Sequence, residues 1–418
     1  MRARWLCLAA LAAVASAVTG CGGVGVSGAT ETIGNQLAVY SSLPLQGPQA
    51  ADSTEIVNGE RLALSEAGGH VGQFKIGYVS LDDANPKTGQ LDPEATSTNA
   101  KDAAQDTSTI AYLGELSSAA TAVSLPLINA AGILQVSPSS PYVGLTSSRD
   151  AGQDEPARFY PNGKRNFGRL APGDPAQAAT QVALMRTLDV HKLYVLDDQD
   201  PFETPLAEIV ASEAEQAGIA VAAHDSILTS TGSVFTGEVE KVVRSGADAV
   251  FLAGAPTPGA AALWRALHQA DPHLLLLGAA TLLSPAFTAE IAGAGSQAYL
   301  TTPILAASDY PPSATRVLGD YRAHFGGHPG AYALYGFETM SVVLDAIRRA
   351  GAQGNNRQTV IERFFQTTNR DSVLGRYSVE ADGETTLPRY GVDRVSGGTM
   401  RNFAGRKGSI GVRNRLDY

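Results

Sequence analysis

The chain reads as an α/β protein built from two doubly wound halves. Three observations predict this. Strand-like apolar runs alternate with helix-like runs, which is the pattern of parallel βαβ units. The alternation restarts once, near residue 170. Two of the apolar runs end in clusters of small hydroxyl residues, where an open sheet would present its strand ends.

In the first half, Leu37–Leu45 (LAVYSSLPL) predicts a strand ending in a turn. Ser53–Gly69 carries apolar residues at helical spacing and stops at glycine. Phe74–Asp83 predicts a second strand and Pro93–Asp106 a second helix. Thr109–Leu116 and Gly132–Pro138 predict two further strands around the helical run Ala119–Ala131. The pattern then restarts. Helices are predicted over 175–188, 204–218, 238–246 and 258–270, and strands over 192–198, 219–227, 247–255 and 274–280. The Pro-, Gly- and aromatic-rich run 156–174 lies between the halves. A long helix is predicted over 332–351, then strand-like runs over 374–385 and 389–400. The halves share no residue-level repeat. Crossovers of this kind are right-handed.

The 418 residues are 44% hydrophobic and 17% charged, which suits a core-forming protein. The formal charge of −10, with no basic run, argues against nucleic-acid binding. The N-terminus reads as an export signal over residues 1–20. Arg2 and Arg4 precede an apolar stretch, Trp5–Val18, too short for a membrane span of about 20 residues. Val18–Cys21 (VTGC) resembles a bacterial lipobox, with Val18 and Thr19 as variants of its preferred residues. This marks Cys21 as the lipidated first residue of the mature chain. An ordinary secretory signal is the alternative. Cys7 lies within the signal, so the mature chain would hold a single cysteine and no intrachain disulfide. A diacyl group on Cys21 would anchor the chain stably. Residues 21–36 read as a flexible tether, and 401–418 as a basic, glycine-rich tail.

The run of landmarks resembles the extracytoplasmic solute-binding proteins of the branched-chain amino acid class of ABC transporters, over about Leu37–Met400. LPLQGP (43–48) is similar to that class's P-L-T-G-P turn. The helix and strand of 58–86, ending in DDANP, resemble its next elements. GELSSAAT and GILQVSPSS resemble its two serine-rich strand ends. RLAPGDPAQA, ADAVFLAG and GFETMSVVLDAI match later landmarks, with Phe337-Glu338 where Tyr-Asp is usual. The resemblance implies a type I periplasmic binding protein fold, two lobes joined by three crossings. Lobe one would be 37–169 and 303–370, and lobe two 170–302 and 371–400. Ligand would sit between the lobes, which close as a hinge.

Strand ends of open α/β sheets are where ligands bind. Serines that begin helices there present hydroxyls and free N–H groups, an anion site without a cationic side chain. Helix capping alone is the alternative use of the same residues. The resemblance carries a ligand carboxylate onto Ser118 and Ser139, with Ser117 and Ser140 beside them. It also brings in Gln46 of the LPLQGP turn, Asp52 beyond it, and Tyr332 as an aromatic wall or core residue. The class's further donor falls at Pro141, which has no N–H. Its acidic partner for an α-ammonium falls at Ala280, next to Thr281. Its two second-lobe tyrosines fall at Ala255 and at Pro201 or Phe202. An unpaired ammonium in a closed cleft is costly. The expected ligand is therefore a small polar solute, an amino acid, carboxylate or amide, with those lacking a free α-amine favoured. Asp52, Asp200 and Glu203 are the acids that could replace the missing charge, or else sit in solvent.

No G-x-S-x-G elbow or Walker A loop occurs. GVGVSG (23–28) lies in the tether and GAGSQA (293–298) after a helix, so neither has a dinucleotide loop's context. HFGGH (324–328) lacks nearby ligand partners for a metal. The expectation is a monomeric, lipid-anchored extracytoplasmic receptor, not an enzyme, without cofactor, that delivers a small polar solute to an ABC permease. A ligand sensor for a signalling partner and a surface protein with a degenerate cleft are the alternatives.

Overall fold

The computed structural model describes residues 31–32, 34–229, 234–387 and 390–403. The signal, Cys21, most of the tether and the tail beyond 403 lie outside the described residues.

The first sheet contains β1 (Gln36–Leu43), β2 (His70–Val71), β3 (Phe74–Asp82), β4 (Thr109–Leu113), β5 (Leu134–Ser137) and β6 (Phe167–Arg169), in the order β2-β3-β1-β4-β5-β6. All but the short edge strand β2 are parallel. Their crossovers are α1 (Ala50–Glu66), α2 (Pro93–Gln105) and α3 (Ser118–Ala130). Ala111 and Leu113 enter one buried cluster while Tyr112 between them enters another, on the opposite face. That alternation is what a sheet covered on both sides requires.

The second half follows the same rule. Its helices are α4 (Asp174–Thr187), α5 (Thr204–Gln216), α6 (Thr236–Ser245), α7 (Pro258–Ala270) and α8 (Pro285–Glu290). Strands β7 (Lys192–Asp197), β8 (Ala220–Ser226), β9 (Ala249–Ala253), β10 (Leu275–Gly278) and β11 (Ala298–Thr302) run parallel in the order β11-β10-β9-β7-β8. Val195 and Phe251 face one core; Leu196 and Leu252 face the other.

After β11 the chain returns to the first sheet through α9 (Pro312–Phe325), α10 (Tyr332–Ala350) and α11 (Arg357–Phe365). Helices α1 and α10 touch backbone to backbone. A Cβ on Gly59 would stand 2.2 Å from the Ala333 carbonyl oxygen, and one on Gly336 would stand 2.0 Å from that of Ile56. Only glycine permits that approach.

Next comes a small hairpin, β12 (Arg370–Ser372) and β13 (Gly375–Tyr377). The sequence places everything from residue 371 with the second lobe; the structure differs. Val373, Leu374, Tyr377, Val379 and Leu387 share the buried cluster of Leu37 and Val39. The Tyr377 hydroxyl also donates to Glu338 of α10, at 2.8 Å. The hairpin's apolar residues thus complete the first core. Only then does the chain cross back, to β14 (Gly391–Ser396) and β15 (Thr399–Asn402), which extend the second sheet antiparallel from β11. Strand β15 also continues past Met400, across the boundary drawn for the tail.

The three passes between sheets lie side by side. Tyr390 donates to the Pro172 carbonyl, and a Cβ on Gly391 would meet the Ile304 carbonyl oxygen at 2.7 Å.

Candidate ligand-binding cleft

The carboxyl ends of β4 and β5 lie together, and their serine clusters form one hydrogen-bonded unit. The Glu115 carbonyl accepts the Ser137 hydroxyl at 2.6 Å and the Ser140 hydroxyl at 3.0 Å. Thr121 Oγ1 lies 2.7 Å from Ser140 Oγ. Ser117 is the N-cap of α3, its Oγ accepting from the Ala120 amide. Ser118 opens the helix, and its Oγ accepts from the Tyr142 amide at 3.1 Å. That bond occupies a lone pair and leaves the hydroxyl hydrogen free to donate. The Ser118 and Ala119 amides begin the helix, where no intrahelical acceptor exists. Ser139 is half-buried, and its amide donates to Ser137 Oγ. Ser140 is fully buried with φ 53°, its hydroxyl and amide both used within the loop. Within this unit Ser117 caps α3 and Ser140 braces the loop, while Ser118 ties the helix start to Tyr142.

Arg169 supports this loop from beneath. It is buried and donates to the Ser140 carbonyl at 2.6 Å, the Tyr142 carbonyl at 2.7 Å and Thr146 Oγ1 at 2.9 Å. It also pairs with both carboxyl oxygens of Glu384, from the last pass towards the second sheet.

The remaining first-lobe candidates spread along the same edge. Gln46 is exposed and donates to Asp82. Asp52 is half-buried in the first turn of α1, and burial, then Glu55, pushes its carboxyl up to about 6. Tyr332 packs against Leu43, Ile56, Val57 and Leu116, and its phenol is raised by burial and then by Asp52.

The second-lobe wall carries acids. Thr281 Oγ1 donates to Glu203 Oε2 at 2.9 Å. Burial and then Asp174 push the Glu203 carboxyl well above the ordinary range; Thr281 opposes, and Asp200 and Asp198 add to the rise. Asp174, 2% exposed at the start of α4, is raised by burial to about 7 despite Arg169 and the Val143 amide. Asp200 closes its own turn by accepting from the Phe202 amide. The Ala280 amide donates to Gln177, and the Ala255 amide to Asp198. Both alanines contribute backbone amides to these bonds. Phe202 reaches across to the first lobe, its ring edge-on to Tyr142 at 5.2 Å and 88°. Tyr390 lies between the walls: Asp174, Arg169, Tyr332 and Glu203 all act on its phenol.

A model of the periplasmic binding proteins matches residues 41–398. The chain belongs to the periplasmic binding protein family. No curated protein sequence matches it. Solved structures do. The leucine-binding protein LivK of Thermotoga maritima superposes with a TM-score of 0.72 at 20% identity, over 88% of this chain and 98% of that one. LivJ of Streptococcus pneumoniae, solved with isoleucine, gives 0.68 at 18% identity over 88% and 98%. A solute-binding protein of R. palustris, solved with benzoate, gives 0.68 at 15% identity over 91% and 98%. At these identities the likeness establishes the fold.

As a periplasmic binding protein, the chain offers hydroxyl and amide donors on one wall and carboxyls on the other. Sequence reasoning overlooked Arg169, Tyr142, Asp83, Glu115 and Glu384. Asp83, Glu115 and Arg169 share a signal, a charged residue at the end of a buried strand, as in NFGRL and YLGEL, where a charge must find a partner.

Proposed function

We propose that this protein is an extracytoplasmic receptor that captures a small amino acid-like solute between its lobes and delivers it to an ABC permease. Lobe one is 37–169 with 303–387, and lobe two 170–302 with 391–402. The ligand carboxylate binds the Ser118 hydroxyl, the first amides of α3 and the Ser139 hydroxyl. Its amino group binds Glu203, which does from beside Thr281 what Ala280 cannot. Asp52, Tyr332 and Phe202 bound the space, and Gln46 stands at its mouth. This revises the preference for an amine-free ligand. The observation that carries the reading is a carboxyl, Glu203, that accepts the Thr281 hydroxyl and has Asp174, Asp200 and Asp198 near it, opposite a wall of donors. An ammonium ion gains more from that site than a neutral group does. Closure follows because the ligand touches both walls only when the lobes meet. The receptor is monomeric and anchored through a diacyl group on Cys21.

The test is thermal unfolding of residues 22–418, stripped of carried-over ligand, with amino acids and their des-amino counterparts. L-Leucine against 4-methylpentanoate is the first pair. A ligand at about 100 times its Kd adds roughly 2.7 kcal/mol. Stabilisation by amino acids and not by their des-amino forms is expected. Stabilisation by the des-amino acids alone overturns the role of Glu203. Silence from both across the full panel overturns the receptor reading. Anchoring is read separately: the Cys21→Ala protein should leave the membrane fraction.

A further inference from the structure

Glu115 joins the two serine-rich strand ends, yet its side chain points away from the cleft. Its carbonyl holds Ser137 and Ser140, and its amide donates to Thr121 Oγ1 at 3.3 Å. Its carboxyl is fully buried beneath β1 and accepts from the Tyr112 hydroxyl at 2.7 Å. The Ser42 hydroxyl and the carboxyl of Asp83 also act on it at short range. Asp83 is 1% exposed. Among the described residues neither Asp83 Oδ1 nor Glu115 Oε2 meets a donor. Two ionised carboxylates have only acceptors to offer one another, so two buried carboxyls that each keep an oxygen without a donor call for a proton on one of them.

We propose that Asp83 and Glu115 share one proton, and that Asp83, acting through Glu115, is a positioning residue for the serine wall of the ligand cleft. The wall's role rests on the function proposed above; the proton does not. The titratable groups facing the pair are Asp82 from the end of β3 and Tyr112 from β4. Ser42 of β1 and Asn99 of α2 complete its surroundings, Asn99 donating to Ser42 Oγ and to the Asp82 carbonyl. Burial drives both carboxyls up, Asp83 to about 6 and Glu115 well beyond its ordinary range, with Asp82 adding to the rise at Asp83.

The sign follows from linkage. When the loop opens to water, both carboxyls ionise at ordinary values, so above about pH 6 opening releases the shared proton. The opening constant then rises about tenfold per pH unit until Glu115 itself ionises. Stability from this pair is greatest in acid and is lost as pH rises.

Hydrogen exchange on the ligand-free chain tests this, read at the amides of 115–121 and 139–142 and divided by intrinsic exchange rates. Between pH 6.5 and 8 the wild-type opening constant should rise about 30-fold more than that of Asp83→Asn. In that variant an amide N–H replaces the shared proton and never leaves. Glu115→Gln should flatten the profile in the same way. Equal slopes in wild type and a folded variant overturn the proposal. So does a wild-type rise of less than tenfold, which needs no variant. Neither result depends on which solute the cleft takes.

Discussion

The two walls of the cleft are built on opposite plans. On the first, hydroxyls satisfy one another: Ser137, Ser140 and Thr121 close around Glu115, and Arg169 holds the loop's carbonyls. Little polarity is left over, so what remains at Ser118 and Ser139 is fixed in place. On the second, Glu203 accepts the Thr281 hydroxyl, with Asp174, Asp198 and Asp200 close enough to raise its pKa. The first wall is preorganised by its own bonds and contributes little ordering cost on binding. The second is held in an electrostatically unfavourable state that a cation would relieve. Under the proposed function, shape on one side and charge on the other would divide the work of recognition.

The largest expected effect comes from breaking the support of the first wall. Arg169→Met leaves Glu384 without its charged partner and the Ser140 carbonyl without its donor, while the Tyr142 carbonyl keeps only the Leu145 amide. Loss of one partner from a buried pair costs about 3–5 kcal/mol, read as a shift of the urea midpoint. Arg169→Met with Glu384→Leu should recover much of that, because the stranded carboxylate goes too. A single-variant loss below about 1 kcal/mol would mean that the wall holds itself without Arg169.

Glu203→Gln probes the other wall, and its sign is opposite. A carboxyl whose folded pKa is raised gives stability that is lost as pH climbs from the ordinary carboxylate range through the folded value. Its share is up to about 1.4 kcal/mol per pH unit. The glutamine variant should therefore lose less stability than wild type between pH 5 and 7. It should also lose the preference for L-leucine over 4-methylpentanoate. An unchanged pH profile would show that Glu203 is solvated, and the contrast between the walls would fail with it.

Much of this was legible in the sequence. The alternating runs gave both sheets, and the hydroxyl clusters after YLGEL and LQVS marked the edge where they meet. The hairpin 370–377 was misplaced because local pattern is silent on which core an amphipathic hairpin joins; Tyr377 and Leu387 decide that by tertiary contact. Glu203 was one of three candidate acids because sequence spacing does not reveal that the turn after β7 folds back to Thr281. Sequence places Ser140 beside Ser139 but does not show that its hydroxyl is spent inside the loop, on the Glu115 carbonyl and against Thr121.

Adjacent serines give the finest version of the comparison. Ser117 and Ser118 are neighbours with the same hydroxyl, but the first accepts from an amide of its own helix and the second from Tyr142 in the other strand end. Ser117→Ala removes a cap, so it should cost about 1 kcal/mol of stability and leave affinity within about twofold. Ser118→Ala removes both the donor offered to the ligand and the acceptor that anchors Tyr142. A hydrogen bond to a charged group contributes about 1.5–3 kcal/mol, so affinity for a carboxylate ligand should fall about tenfold or more. Chemical denaturation and calorimetry on the same two proteins separate the effects. If both variants lose stability and neither loses affinity, the serine clusters are caps alone, and the anion site must be sought among the exposed donors of the second wall.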